Sequence, residues 1–164
     1  MSRKINHEMR YDGATPEQVH AMLADPTFRE AVCEFTGFRK HAVTITPKGA
    51  TMAVRIDQHR PATEVPSFAR KLVGEEINVV QEESWTSTTA AALTVTIPGR
   101  PGHMHGTIEL VGDANGTTEV VAVEVKVNVP LVGGKLEGFI GDMLMKALRA
   151  ENKVGRDWLA GSRG

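Results

Sequence analysis

The last long stretch of the chain, Pro130 to Leu159, constrains everything before it. Leu136, Ile140, Met143, Ala147, Val154 and Trp158 recur at spacings of three, four and seven, the period of a helix with one buried face. Leu144 and Phe139 flank that stripe. Glu137 and Asp142 come early, and Lys146, Arg149, Lys153 and Arg156 come late, the charge order that a helix dipole favours. At 1.5 Å per residue such a helix spans roughly 40 Å. A rod of that length needs a sheet to lie across. Gly134, Gly138 and Gly141 line nearly the opposite side, and each mid-helix glycine costs about 1 kcal/mol relative to alanine. Two readings stay open. Either the first turns are frayed or closely crossed by a loop, or another backbone, a partner subunit or a membrane-facing loop approaches this smooth side.

The sheet is written upstream. Ile5, His7, Met9 and Tyr11 alternate with charged and polar residues, a strand with one buried side. Thr15-Pro16-Glu17-Gln18 is a helix start with a capping box, and Val19, Met22 and Leu23 form its apolar side. Asp25-Pro26 starts a second short helix carrying Phe28, Val32 and Phe35 and ending at Gly37. Strands follow around Val43 and Ile45, then Met52 to Gln58. Pro61 to Pro66 breaks the sheet, and Ser67 to Val73 reads as one or two helical turns. A fourth strand puts Ile77, Val79, Gln81, Glu83 and Trp85 on one face. Leu93, Val95 and Ile97 mark the fifth, and Ile108 and Leu110 the sixth. Asn115-Gly116 signals a tight hairpin, and Val121, Val123, Val125, Val127 and Val129 line one face of the seventh.

The expected fold is therefore α+β in a single domain, 1–164. A seven-stranded antiparallel sheet wraps a long C-terminal helix, with two short helices after strand one. Successive hairpins give an antiparallel sheet with one face to cover, and the terminal helix is the cover.

Charge excludes several functions. Lys and Arg number 19 against 20 Asp and Glu, a formal net charge of -1. That balance leaves no footprint for nucleic acid and no polybasic patch for a membrane anchor. No apolar run is long enough to span a bilayer, and none follows Arg3-Lys4 as a signal peptide would. The single cysteine, Cys33, excludes an internal disulfide and reads as a small buried apolar residue. The expected location is cytoplasmic. No cofactor motif or metal-ligand set is present. His103 and His105 flank Met104 and would share a strand face, but they read as a loop leading into the sixth strand. Pro61 to Gly74 and Pro98 to Gly106 are the longest non-strand segments and the candidate lids.

Strand parity and helix period give the lining of the space under the helix. It comprises His7, Met9, Met52, Val54, Ile56, Gln58, Val79, Gln81, Glu83, Trp85, Leu93, Val95, Leu110, Val123 and Val125 from the sheet. Ile140, Met143, Leu144 and Ala147 come from the helix. An apolar wall with a few polar groups is the composition of a small-molecule pocket. Glu83 needs a partner, a ligand or the rim, because an unpaired buried carboxylate is costly.

The element order resembles the helix-grip fold of the START-like superfamily (SRPBCC, birch-pollen-allergen-like). Four stretches are similar to an actinobacterial family of unknown function within it: Pro16 to Leu23 with Asp25-Pro26, Val65 to Lys71, Glu82 to Trp85, and Val129 to Glu137. The resemblance covers the whole chain and implies the fold. The superfamily hosts carriers, cyclases and hydrolases alike, so it carries over no catalytic residue. The leading expectation is binding or transport of a hydrophobic small molecule, a lipid, isoprenoid or polyketide-like compound. One alternative is a cyclase- or hydrolase-type enzyme using a His7–Glu83 acid–base pair. The other is an interaction module with a filled core. The sequence leaves oligomeric state open.

Overall fold

The computed structural model describes residues 2–163. Its elements in chain order are β1 (Arg3–Asp12), α1 (Pro16–Leu23), α2 (Pro26–Phe35), β2 (Lys40–Lys48), β3 (Thr51–Pro61) and α3 (Ser67–Val73). Then come β4 (Glu76–Trp85), β5 (Ala90–Thr96), β6 (His103–Asp113), β7 (Gly116–Lys126) and α4 (Gly133–Arg163). The strands form one antiparallel sheet in the order β1-β7-β6-β5-β4-β3-β2. Strands β2 to β7 are a meander, and β1 closes onto β7, so α1 and α2 bridge the two sheet edges. This is the helix-grip arrangement that the sequence predicts.

Local chemistry explains the starts and stops. Thr15 Oγ1 accepts from the Gln18 amide at 3.2 Å, and the Gln18 side chain accepts from the Thr15 amide at 2.9 Å. That reciprocal pair satisfies two donors at the α1 N-terminus. Asp25 caps α2 by accepting from the Thr27 amide at 2.9 Å. Before α4 the chain turns through Leu131, which is fully exposed with φ of 71°. The buried Glu137 carboxylate accepts from the Val127 amide at 2.9 Å. That bond ties the first turn of α4 to the chain just past the end of β7.

Several boundaries differ from expectation. β6 begins at His103, so His103 and His105 lie on the strand rather than in a loop, exposed, with rings stacked 5.7 Å apart. The candidate lid after β5 is shorter accordingly. β7 ends at Lys126, short of Val127 and Val129. Phe35 is not a core residue but 57% exposed.

The glycine side of α4 has a clear occupant. A Cβ built on Gly141 would meet Ile5 Cδ1 at 3.0 Å and Arg3 Nε at 3.2 Å, and one on Gly138 would meet Arg3 Nη1 at 3.2 Å. Further along, a Cβ on Gly155 would meet Tyr11 Cε1 at 2.7 Å. These glycines let α4 lie close across β1, as small residues allow between packed elements. Gly134 has nothing within 4 Å.

Packing beneath α4 falls into two apolar clusters. The larger joins Met9, Tyr11, Phe28, Trp85, Val123 and Val125 with Leu148 and Leu159. The smaller joins Val65, Ala69, Ile77 and Val127 with Leu136. Val79 and Ile140 pack against both.

Candidate functional site

Where the two clusters meet, side chains do not fill the interior. A cavity of about 440 Å³ lies between the sheet, α2 and the middle of α4. That is within the size range of small-molecule sites. The sheet contributes Ile56, Gln58, Val79, Gln81, Glu83, Leu93, Val95, Ile108, Glu119 and Val121. α4 contributes Ile140, Met143, Leu144, Ala147 and Glu151, and α2 contributes Arg29, Val32 and Cys33. Exposed residues mark the mouth: Phe35 at the end of α2, Glu64 after β3, and Lys146 and Ala147 on α4.

The expected lining divides into two groups. Ile56, Gln58, Val79, Gln81, Glu83, Leu93, Val95, Ile140, Met143, Leu144 and Ala147 border the cavity. His7, Met9, Met52, Val54, Trp85, Leu110, Val123 and Val125 do not. Seven of these eight, all but His7, belong to the packed core. Trp85 packs edge-on against His20 at 5.2 Å, which closes the space under that end of the sheet. Met9 and Leu110 flank Glu119 in register on the neighbouring strands. His7 is half-buried on edge strand β1, and burial and the nearby Arg149 charge hold its imidazole below the usual histidine range. Parity assigns these residues to the correct face but not to a depth along it.

The polar groups assemble differently from expectation. Strands β7, β6 and β5 separate His7 on β1 from Glu83 on β4, and Glu83 is committed elsewhere. Arg29 Nη1 and Nη2 donate to its two carboxylate oxygens at 2.9 and 2.7 Å. Gln81 Nε2 and Trp85 Nε1 donate to the same carboxylate at 2.6 and 2.9 Å. Arg29 Nε donates to the Leu23 carbonyl at 2.7 Å. Both charges are buried, at 3% exposure each. Burial alone would raise the Glu83 pKa, but the Arg29 guanidinium outweighs it and holds the carboxylate ionised. Glu83 is thus the fully bonded half of an internal ion pair, and the His7–Glu83 acid–base pair is not formed.

Two further carboxyls stand near this pair, and among the described residues neither forms an ion pair. Glu119 of β7 is 1% exposed, and its Oε1 finds no hydrogen-bond partner among the described residues. Burial, then the neighbouring Glu151 and Glu83 charges, push it well above the usual carboxylate range. Glu151 of α4 is part-buried on the cavity wall. Burial lifts it to about 7, with Arg29 opposing and Glu83 adding. The buried Tyr11 hydroxyl lies beside the Asn152 side chain and close to these two carboxyls. Burial, followed by the Glu119 and Glu151 charges, raises its pKa. Cys33, which donates to Gln58 Oε1 at 3.5 Å, is pushed up to about 11 by burial, which favours the neutral thiol.

Sequence reasoning missed Arg29, Glu119 and Glu151. Two of them carried a signal. Glu119 has the same parity as Val121, Val123 and Val125, and Glu151 lies four residues past Ala147 and seven past Leu144, on the inner side of the helix. Arg29 carried none, since its partner lies 54 residues away.

Comparison with known proteins places the chain. The family profile described as "Protein of unknown function (DUF2505)" matches residues 6–159. Uncharacterised proteins of Mycobacterium tuberculosis and Mycobacterium bovis are 27% identical over 101 residues, covering 58% of this chain and 58% of theirs. The chain thus spans about 58% of the length of these curated relatives. Among solved structures, the protein TTHA0849 from Thermus thermophilus superposes with a TM-score of 0.64 at 15% identity, over 99% of this chain and 100% of that one. The Zhui aromatase/cyclase from a Streptomyces species superposes with a TM-score of 0.55 at 16% identity, over 99% and 93%. At these identities the likeness establishes the helix-grip fold and nothing finer.

Proposed function

The chain belongs to this family of proteins of unknown function, and from that premise we propose that it binds a hydrophobic small molecule in the cavity between sheet and α4. The single observation that carries the reading is the unfilled space itself. A volume of about 440 Å³, with Ile, Val, Leu, Met and Phe side chains forming the apolar part of its wall, lies between two packed apolar clusters. Interiors ordinarily close such spaces, because every lining atom without a neighbour forfeits dispersion energy. A ligand restores those contacts and removes its own apolar surface from water, at about 25 cal/mol per Å². The mouth at Phe35, Glu64 and Lys146 gives a route in.

The aromatase/cyclase of similar fold makes an enzyme the second reading, and one observation favours it. Glu119 and Glu151 are adjacent carboxyls raised in pKa beside a cavity, a condition suited to proton transfer near neutral pH. The binding reading is preferred because it needs no reacting group beyond the cavity.

Native mass spectrometry of protein purified from its own host tests the proposal. An added mass that denaturation releases, and that extraction identifies as a lipid, isoprenoid or polyketide, supports it. Apo protein alone, together with no binding across a panel of those three classes, refutes it.

A further inference from the structure

Resting on the reading of the cavity as a ligand site, we propose that its occupant carries a protonated amine on a hydrocarbon body, and that Glu151 and Glu119 receive that amine. Toward the mouth the wall carries Arg60, which pairs with Glu64, and the exposed Lys146; deeper in, the carboxyls of Glu83, Glu119 and Glu151 stand beside one buried guanidinium, that of Arg29. Glu83 takes that guanidinium bidentately and accepts two further hydrogen bonds. Arg29 Nε donates to the Leu23 carbonyl, which fixes the guanidinium against Glu83. No cationic side chain within this cluster is left for the other two carboxyls.

The second observation is independent of that count. Glu119 is 99% buried, borders the cavity, and leaves Oε1 without a hydrogen bond among the described residues. Buried polar atoms are nearly always partnered, and an exception in a native fold asks for a reason. A ligand donor is such a reason. Glu151 approaches the same place from the helix with part of its surface still open, so it is the carboxyl that an entering group meets first.

The surroundings decide the sign of the ligand. The groups that act on this pair are Tyr11 from β1, Arg29 from α2 and Glu83 from β4. Arg29 and Glu83 cancel, and Tyr11 stays neutral. A carboxylate ligand would bring further negative charge to a pair of carboxyls that already resist ionising together. A neutral ligand would leave the pair as it is. An ammonium group neutralises one carboxylate and donates up to three hydrogen bonds. Proton balance is simple: an ammonium enters, one carboxylic acid of the pair becomes carboxylate, and its proton leaves to solvent. No covalent bond of the ligand changes.

Isothermal titration of the whole chain at pH 7.5 with octylamine, 1-octanol, octan-2-one and octanoate tests this. Two buffers of different ionisation enthalpy report proton release. Octylamine should bind at least roughly tenfold tighter than 1-octanol or octan-2-one, the scale of one charge-assisted hydrogen bond. It should release a proton, whereas the neutral probes release none. Glu151→Gln should lower octylamine affinity toward that of 1-octanol on the same variant. Glu119→Gln, checked for folding by circular dichroism, should abolish the proton release. Octan-2-one or octanoate binding as tightly as octylamine overturns the amine and leaves the cavity reading standing. So does a preference for octylamine that survives Glu151→Gln. Failure of all four probes to bind, with no proton released, overturns the cavity reading and the amine with it.

Discussion

Residue by residue, the cavity end of the molecule turns on one arginine. Among the described residues, Arg29 is the one cation that the buried Glu83 contacts, and removing one partner of a buried pair strands the other. Arg29→Met should therefore cost about 3–5 kcal/mol in urea denaturation. Adding Glu83→Gln should recover most of that loss, since no charge is then left stranded. Losses that simply add would mean the pair is not coupled. Glu151 makes a prediction of opposite kind. Its pKa is about 7 in the folded chain against 4.5 for an ordinary glutamate, so the native state holds this proton more tightly than the unfolded state. Stability should fall as pH rises from 4.5 to 7, by up to about 3 kcal/mol from this group. Glu119 acts in the same direction. Glu151→Gln should flatten that slope and exceed the parent in stability at pH 8, measured as denaturation midpoints across the range. Glu83 is held ionised by Arg29, so its contribution is lost only as pH falls below the carboxylate range. These residues are also where the sequence was hardest to read. The parity of β7 gives Glu119 its face but does not say that the face is dry there. A glutamate beside a hairpin looks like a solvated strand end. The alternation of β4 shows that Glu83 needs a partner, yet cannot say that α2 supplies it.

The elements, by contrast, were nearly all legible. Alternation in the strands, the Thr15 capping box, Asp25-Pro26 and the long stripe of α4 are local signals, and each element forms where its signal lies. The errors sit where two signals compete. His103 and His105 follow a Pro-Gly-rich stretch that reads as a loop, but pairing with β5 and β7 extends the strand back to His103. Val127 continues the valine alternation, but its amide is captured by Glu137 and the ladder stops. The glycines of α4 are the informative case. Period alone put them opposite the core and left their neighbour undetermined, and β1 is that neighbour. Substitutions should separate the close positions from the open one. Gly155→Ala gains about 1 kcal/mol of helix propensity, but its Cβ would meet the buried Tyr11 ring at 2.7 Å. The overlap forces that ring to move, a cost of about 1–3 kcal/mol. The net effect should be a loss of thermal stability. Gly134→Ala meets nothing within 4 Å and should be neutral or stabilising by up to about 1 kcal/mol. Thermal melts of the two variants check both, and equal shifts would contradict the close approach of α4 to β1.

At the scale of the whole molecule, a seven-stranded sheet grips one long helix, and the fit leaves room. Hairpin order and one amphipathic rod predict that architecture. They do not predict where packing stops, because volume depends on which side chains meet across elements far apart in sequence. Trp85 against His20 and Phe28 against Trp158 close one end, whereas Val79, Leu93, Val95 and Leu144 face open space. The account stands on that boundary between filled and unfilled interior. Methyl-resolved NMR titration with an apolar probe such as 1-octanol measures it directly. The account predicts shifts at Ile56, Leu93, Val95, Ile140 and Leu144, which border the cavity, and none at Val19 and Leu23, which lie in the closed core. Methyl signals that stay fixed throughout, or that move at Val19 and Leu23 instead, would contradict it.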